Sequence, residues 1–165
     1  MVYKRIEVMV VKNLIKGVKF KQLKVISDER GRLMEMLRND DKDFFIKFGQ
    51  LYATTVYPRV VKGWHYHKKQ TDNFTVVSGM LKVVLYDSRK KSPTYRQINE
   101  FFMGEHNFSI LQIPPLVYHG FKGVGTKEAI IICCPTEVYD YKKPDEFRIP
   151  SRSKKVPYNW ALEER

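Results

Sequence analysis

The middle of this sequence is a succession of short apolar runs separated by turn residues, with no amphipathic segment long enough for a helix. Six runs are rich in Val, Ile, Tyr, Phe and Thr, the residues that favour β-strands. They span 51–61, 63–66, 73–77, 80–86, 108–113 and 129–134. Many short strands at regular spacing are typical of a β-sandwich or a closed barrel. The chain is therefore predicted to be all-β.

Turn signals and the two ends of the chain complete this outline. Ser78-Gly79 separates two of the runs, and such a two-residue turn predicts a β-hairpin. Roughly the first 45 residues are predicted to be strands and loops that pack on the barrel or reach a partner subunit. The tail from Lys142 contains three prolines and is predicted to be an extended arm.

The length suits one domain. A chain of 165 residues can bury a core without disulfides or metal ions, and we predict a single domain over 1–165 with its core at about 49–136. No apolar run approaches membrane-spanning length, and the start of the chain lacks the layout of a signal peptide. We expect a cytoplasmic protein that does not bind membranes.

The net charge of +12 and the two cysteines restrict partners and compartment. Nucleic-acid binding is disfavoured because no nucleic-acid motif is present and acidic residues interrupt most basic stretches. A solvated charged surface ranks above it, and a preference for anionic ligands such as the diphosphate of a nucleotide sugar also fits. Cys133 and Cys134 are adjacent, point to opposite faces of a strand, and are expected to be free thiols in a reducing compartment.

The side chains that carry chemistry are three histidines and one aspartate. His65 and His67 are followed by Asp72, and His119 follows a Pro-Pro pair. Such a cluster suits a metal site built on adjacent strands of a β-barrel. It equally suits proton abstraction from a sugar carbon, with one histidine as the base.

Two resemblances refine this reading. The run Gly-x-His65-x-His67, followed by Asp72 and Gly79, resembles the first signature of the cupin superfamily, with Asp in place of the usual Glu. His119 resembles the histidine of the second cupin signature. This resemblance implies a cupin-type jelly-roll β-barrel with the four polar side chains inside one end.

A more specific resemblance extends over roughly residues 26 to 160. The chain resembles the dTDP-4-dehydrorhamnose 3,5-epimerase family of deoxysugar biosynthesis. Ile-Pro-Pro-Leu-Val-Tyr-His-Gly-Phe at 113–121 is its most specific block, and the others lie at 26–35, 62–66 and 87–95. Several blocks in the same order make chance similarity improbable.

The resemblance implies a nucleotide-linked 4-keto sugar as substrate. A ketone acidifies the neighbouring C–H bonds, and His65 stands at the position of the family's catalytic base. His119 is then implied to contact the sugar or the developing oxyanion. The residues implied to hold the nucleotide and its phosphates are Arg30, Glu35, Gln50 and Lys62. Part of that set comes from a neighbouring subunit in the family, so a homodimer is implied.

Simpler structural roles would also explain Arg30, Glu35 and Asp87. Arg30 and Glu35 would also be explained by an exposed ion pair on a strand. Asp87, in one of the matching blocks, is more simply explained as a residue that fixes a turn.

The sequence departs from the family at the acid, the cation and the orienting carboxylate. Asp72 stands where the family has a lysine, and Cys133 replaces its proton-donating tyrosine. Tyr139 offers another phenol, although tyrosines there more often stack on the nucleotide base. Lys62 replaces an arginine and lacks its bidentate geometry. The carboxylate that orients the family's histidine would lie beyond Arg165.

These departures leave a metal site as an alternative. His65, His67, Asp72 and His119 would form a three-histidine, one-carboxylate site for a divalent ion, which could polarise the ketone in place of the missing lysine. A metal-bound His65 could not also be the free base, so the two mechanisms exclude each other.

Three hypotheses follow from the sequence. The first, which we favour, is a metal-free sugar-nucleotide epimerase or isomerase; the second is a metal-dependent cupin enzyme; the third is a non-catalytic relative that binds a sugar nucleotide. The identities of the nucleotide and sugar, and the number of carbons epimerised, are left open.

Overall fold

The structure is a computed structural model that describes residues 13–161, and every regular element in that range is a β-strand. The strands are β1 (Lys19–Gln22), β2 (Val25–Asp28), β3 (Gly31–Met34), β4 (Tyr52–Val56), β5 (Val61–Tyr66), β6 (Asp72–Ser78), β7 (Met80–Asp87), β8 (Ile98–Gly104), β9 (Ser109–Ile113), β10 (Val117–Gly123), β11 (Ala129–Cys133) and β12 (Phe147–Arg148). No helix capable of spanning a membrane occurs in this range. The first twelve residues of the predicted N-terminal strand region lie outside it.

Two five-stranded antiparallel sheets form the barrel. Sheet I has the strand order β1-β9-β6-β11-β4, and sheet II has the order β12-β5-β10-β7-β8. Inward side chains of both sheets share one core, with Phe74 and Ile131 from sheet I and Val83 and Phe121 from sheet II. Strand alternation places apolar residues on the shared inner faces. The predicted all-β jelly-roll barrel is confirmed.

The segments before and after the barrel strands cover its outer faces. Leu23 and Phe44 pack on Phe108 and Ile110 outside sheet I. Outside sheet II, the C-terminal tail buries Trp160 against Trp64. The predicted C-terminal arm lies along the barrel, because β12 pairs with β5, and it turns at 150–156 before reaching Trp160.

The predicted hairpin at Ser78-Gly79 is wrong. β6 belongs to sheet I and β7 to sheet II, so this corner carries the chain between the sheets. Gly79 has φ +69°, and its N–H donates to Glu105 Oε2 at 2.8 Å. Turn residues mark a change of direction, but they do not specify which strand each arm will pair with.

Other strand boundaries also differ from prediction. The run 51–61 divides into β4 and β5, because the chain turns at 57–60, where Arg59 has φ +66°. β8 and β10 were not predicted. β8 carries Asn99 and Glu100, and β10 carries Gly120, residues that interrupt the apolar pattern of a strand.

Candidate active site

Four polar side chains converge between the sheets at one end of the barrel. His65 on β5 and His119 on β10 are direct partners in the antiparallel register, and their ring centroids are 3.9 Å apart. His67 follows β5, and Asp72 begins β6 of the opposite sheet. One potential ligand atom from each of the four lies within 4.8 Å of the others. The predicted cluster is therefore present in the folded chain.

Strand alternation explains why these polar groups are buried. Val117 and Phe121 belong to the inter-sheet core, so His119, midway between them on β10, faces the same way and is only 2% exposed. Asp72 shares a face of β6 with the core residue Phe74 and is 5% exposed. A buried carboxylate needs compensating partners, and the histidines supply them.

Backbone carbonyls fix the tautomers of two histidines. His67 Nδ1–H donates to the Asp145 carbonyl, and His119 Nδ1–H donates to the Val117 carbonyl at 3.0 Å. Since a carbonyl can only accept, each Nδ1 must carry the proton. In its neutral form, each ring then has a lone pair on Nε2.

Both Nε2 atoms face the same carboxylate oxygen. Asp72 Oδ2 lies 3.2 Å from Nε2 of His67 and 3.2 Å from Nε2 of His119. Lone pairs and an anionic oxygen repel each other, so a proton or another cation must lie among them. Gln70 Nε2 donates to Asp72 Oδ1 at 2.7 Å and holds the carboxylate in place.

The shifts in pKa indicate where that proton is held. Burial alone would lower the pKa of His67, but the hydrogen bond and charge of Asp72 outweigh it and raise the pKa above its ordinary value. Burial alone would raise the pKa of Asp72, yet the two neighbouring histidines, His119 and His67, lower it below the usual range. An imidazolium at His67 beside an ionised Asp72 accounts for the raised pKa of His67, while Nε2 of His119 has no hydrogen-bond partner among the described residues.

His65 has the opposite character. Burial lowers its pKa well below the ordinary 6.5, and the neighbouring His119 lowers it further. The charge of Asp72 acts in the other direction without reversing the shift. His65 is therefore neutral at physiological pH and able to accept a proton.

The predicted nucleotide-binding residues divide into two groups. Gln50 and Tyr139 are neighbours, since Gln50 Oε1 accepts from the Tyr139 N–H at 3.1 Å. Lys62, on the same strand as His65, donates from Nζ to the Thr55 carbonyl at 2.6 Å, reaching β4 from β5. Lys62 lies on β5, the strand that carries His65. Gln50 lies just before β4, and Tyr139 lies after β11.

Arg30 and Glu35 form the second group, beside the β2–β3 hairpin. Arg30 pairs with Asp28 at 2.5 Å, and Glu35 pairs with Arg38 at 2.6 Å. The suggested ion pair between Arg30 and Glu35 is wrong, because each has a nearer partner of opposite charge. Within one chain, the structure does not bring these two residues into the histidine cluster.

Asp87 acts in a turn, as its simpler interpretation predicted. Its carboxylate accepts from the Arg89 side chain at 2.8 and 2.9 Å and from the hydroxyls of Ser92 and Thr94, each at 2.6 Å. Asp87 is fully buried and shapes the loop after β7.

Sequence reasoning missed two residues near the cluster. Asp145 accepts from the backbone N–H groups of Lys68, Lys69 and Gln70, which fixes the loop after His67. Tyr52 pairs directly with Cys133 across β4 and β11. No local motif marks either position, because both depend on contacts between distant segments.

Comparisons with known proteins agree with this architecture. A sequence model of the dTDP-4-dehydrorhamnose 3,5-epimerase family matches residues 12–165. The chain is 39% identical over 150 residues to the probable low-salt glycan biosynthesis epimerase Agl13 of Haloferax volcanii, covering 90% of this chain and 96% of the relative. It is 40% identical over 150 residues to the spore coat polysaccharide biosynthesis protein SpsL of Bacillus subtilis, covering 91% and 99% respectively.

A solved structure agrees as well. The dTDP sugar isomerase from Desulfovibrio desulfuricans superposes with a TM-score of 0.85 at 34% identity, covering 91% of this chain and 94% of that one.

A jelly-roll barrel with histidines gathered at one end of its interior defines a cupin-type protein. This chain belongs to the dTDP-4-dehydrorhamnose 3,5-epimerase family, and it is an isomerase of the sugar-nucleotide epimerase type.

Proposed function

We propose that this protein epimerises a carbon beside the ketone of a dTDP-linked 4-keto sugar, with His65 as the base. The observation that carries the proposal is a partly buried histidine with a lowered pKa, register partner of His119, inside the barrel of a sugar-nucleotide epimerase. The similarity to a dTDP sugar isomerase at 34% identity supports the choice of nucleotide.

The chemistry follows from the position of the ketone. His65 removes a proton from the adjacent carbon, and the electron pair of the broken C–H bond delocalises onto the ketone oxygen. Asp72, whose charge already acts on His65, offsets the positive charge that forms on the imidazole. His119, the register partner of His65, contacts the sugar or its developing oxyanion.

The nucleotide is bound at the entrance to the barrel. Gln50 and Tyr139 contact the nucleoside, and Lys62 offers a point charge to the diphosphate. Arg30 and Glu35 act in the site of the other subunit of a homodimer, which accounts for their distance from His65 in their own chain. The protein works in the cytoplasm and requires no metal.

Solvent-deuterium exchange tests the proposal. In D₂O, the wild-type protein should incorporate deuterium beside the ketone of a dTDP-4-keto-6-deoxy sugar and form its epimer. His65→Asn should lower both rates about 100- to 10,000-fold, because the variant has no base at that position. Retention of both rates in His65→Asn would refute the base assignment. Tight nucleotide-sugar binding without exchange or metal would favour a non-catalytic relative.

The geometry of the cluster supports a metal-dependent enzyme as a second candidate. Asp72 Oδ2 lies 3.2 Å from each of two histidine nitrogens, close to the separation of about 3.3 Å between ligands in a tetrahedral zinc site. The residues that would hold the ion are His65, His67, Asp72 and His119. A divalent ion bound there would supply Lewis-acid polarisation of the ketone.

Elemental analysis of protein purified without added metal separates the two candidates. Near-stoichiometric zinc, iron, nickel or manganese that disappears in His67→Ala would replace the free-base mechanism with the metal-dependent one. Undiminished exchange in metal-free wild-type protein would support His65 as the base.

A further inference from the structure

Inversion of a carbon requires a proton donor on the face opposite the base. We propose that Tyr52 is this donor, acting from β4 of sheet I across the barrel interior from His65 on sheet II. The inference rests on the proposed epimerase function and deepens it by assigning the acid.

Strand alternation aims Tyr52 into the barrel. Val56 belongs to the inter-sheet core and is 1% exposed, and Tyr52 lies four residues before it, on the same face of β4. Tyr52 is also the direct register partner of Cys133, another core residue. Side chains of register partners project from the same face of a sheet, so both point inward.

The position of β4 keeps the phenol accessible. β4 is the edge strand of sheet I, and Tyr52 remains 43% exposed there, whereas Cys133 is 7% exposed. The Tyr52 phenol is exposed at the edge of sheet I and points into the barrel, so it can contact a sugar that enters the barrel.

The charge of Asp72 acts on the Tyr52 phenol as well as on the histidines. Burial raises the pKa of Tyr52, and the neighbouring Cys133 and Asp72 raise it further. Asp72 lies 3.2 Å from both His67 and His119, so the phenol and these two histidines have the same carboxylate as a neighbour. The shift keeps Tyr52 protonated at working pH, as an acid must be before it donates.

Other candidate donors fit less well. Burial raises the pKa of Cys133 to about 12, and its side chain is packed in the core. Tyr66 stacks on Phe147 and meets Tyr118 edge-on, away from the inward-facing His65 that precedes it. Lys62 shares a strand with the base and donates to the Thr55 carbonyl.

The proton transfers balance. His65 accepts the proton from the carbon beside the ketone, leaving an enolate. The electron pair then returns from the enolate to form a new C–H bond with the Tyr52 proton on the opposite face. The phenolate takes a proton from solvent, and the imidazolium releases one to it, which restores both groups.

Tyr52→Phe separates this role from that of the base. In D₂O, we expect the variant to lose epimer formation about 100- to 10,000-fold. It should still exchange the substrate C–H on the His65 face within a few-fold of wild type. His65→Asn should lose both reactions. Tyr57→Phe, an exposed tyrosine just after β4, is the matched control and should retain both.

Two results would overturn the assignment. Epimer formation at the wild-type rate in Tyr52→Phe would exclude the phenol, while exchange and epimerisation in wild type would leave the proposed function intact. Loss of epimerisation in Cys133→Ala, with its retention in Tyr52→Phe, would move the donor to the thiol. Wild-type protein that neither exchanges nor epimerises would refute the proposed function itself.

Discussion

The pKa of His65 governs how the reaction should respond to pH. Burial and His119 lower that pKa well below 6.5, so the imidazole becomes protonated only in more acidic solution. If His65 is the free base, kcat/KM should remain level from neutral pH through pH 6.5. It should decrease only in more acidic solution, where His65 becomes protonated. A pH–rate profile of the wild type checks this prediction. An acidic limb centred above pH 6.5 would contradict it.

Asp87 should make a measurable contribution to stability. Burial opposes its ionisation, but hydrogen bonds from Arg89, Ser92 and Thr94 dominate and lower the pKa from 3.8 to about 2. A depressed carboxyl pKa stabilises the fold above the unfolded value of 3.8, and this contribution is lost as pH falls toward 2. Asp87→Asn should cost about 1–3 kcal/mol at pH 7, because the amide accepts fewer hydrogen bonds.

Urea unfolding between pH 7 and pH 2 measures the effect of Asp87→Asn. The difference in the free energy of unfolding between wild type and Asp87→Asn should become smaller as the pH falls toward 2. Asp43→Asn, an exposed substitution, should stay within about 0.5 kcal/mol of wild type. A gap that is unchanged at pH 2 would show that the loss is not electrostatic.

The sequence predicted the site residues whose positions follow from local motif spacing. It did not predict those whose positions depend on pairing between distant segments. His65, His67, Asp72 and His119 were identified because motif spacing on alternating strands fixes which face they share. Tyr52 and Asp145 were missed, because their proximity to the cluster arises from pairing between strands and tail that are remote in sequence. Local patterns do not encode such pairing.

Individual strands were likewise predictable from local sequence, whereas the pairing between strands was not. Alternating apolar runs predicted β6, β7, β9 and β11 nearly to their ends. The corner at Gly79 was misread as a hairpin because turn chemistry is the same whether the chain returns to its own sheet or crosses to the other.

Gly79→Ala tests the importance of that crossing. A Cβ at this position would lie 2.7 Å from the Ala129 Cα, and the φ of +69° is unfavourable for alanine. We expect a loss of about 1–3 kcal/mol in the free energy of unfolding. Ser78→Ala at the adjacent position should cost no more than about 0.5 kcal/mol. Equal stability of the two variants in thermal or urea unfolding would contradict the prediction.

Subunit complementation tests the assembly at the scale of the whole molecule. If Arg30 serves the partner's site, Arg30→Ala and His65→Asn are each impaired alone, yet a mixed dimer retains one intact site. Random pairing after co-expression should restore about a quarter of the wild-type sites. Epimerase activity of the co-expressed protein, compared with each variant alone, measures the restoration.

A same-subunit pair supplies the control. Lys62 and His65 lie on one strand, so co-expressed Lys62→Ala and His65→Asn should not complement each other. Failure of the Arg30 pair to complement would place Arg30 outside the partner's site.

The close approach of two glycines determines where this barrel can be redesigned. A Cβ on Gly120 would lie 3.0 Å from the Gly63 Cα and 3.1 Å from Trp160, and these glycines flank the strand positions of the histidines. Larger residues are therefore excluded at Gly63 and Gly120, on the strands that carry His65 and His119, because Trp160 of the C-terminal tail packs against both glycines. The edge strand β4 is free of this restriction, since Tyr52 is exposed and Thr54 is partly exposed. Libraries for directed evolution of substrate preference should diversify Thr54 on β4, keep Tyr52 as the proposed donor, and leave Gly63 and Gly120 unchanged.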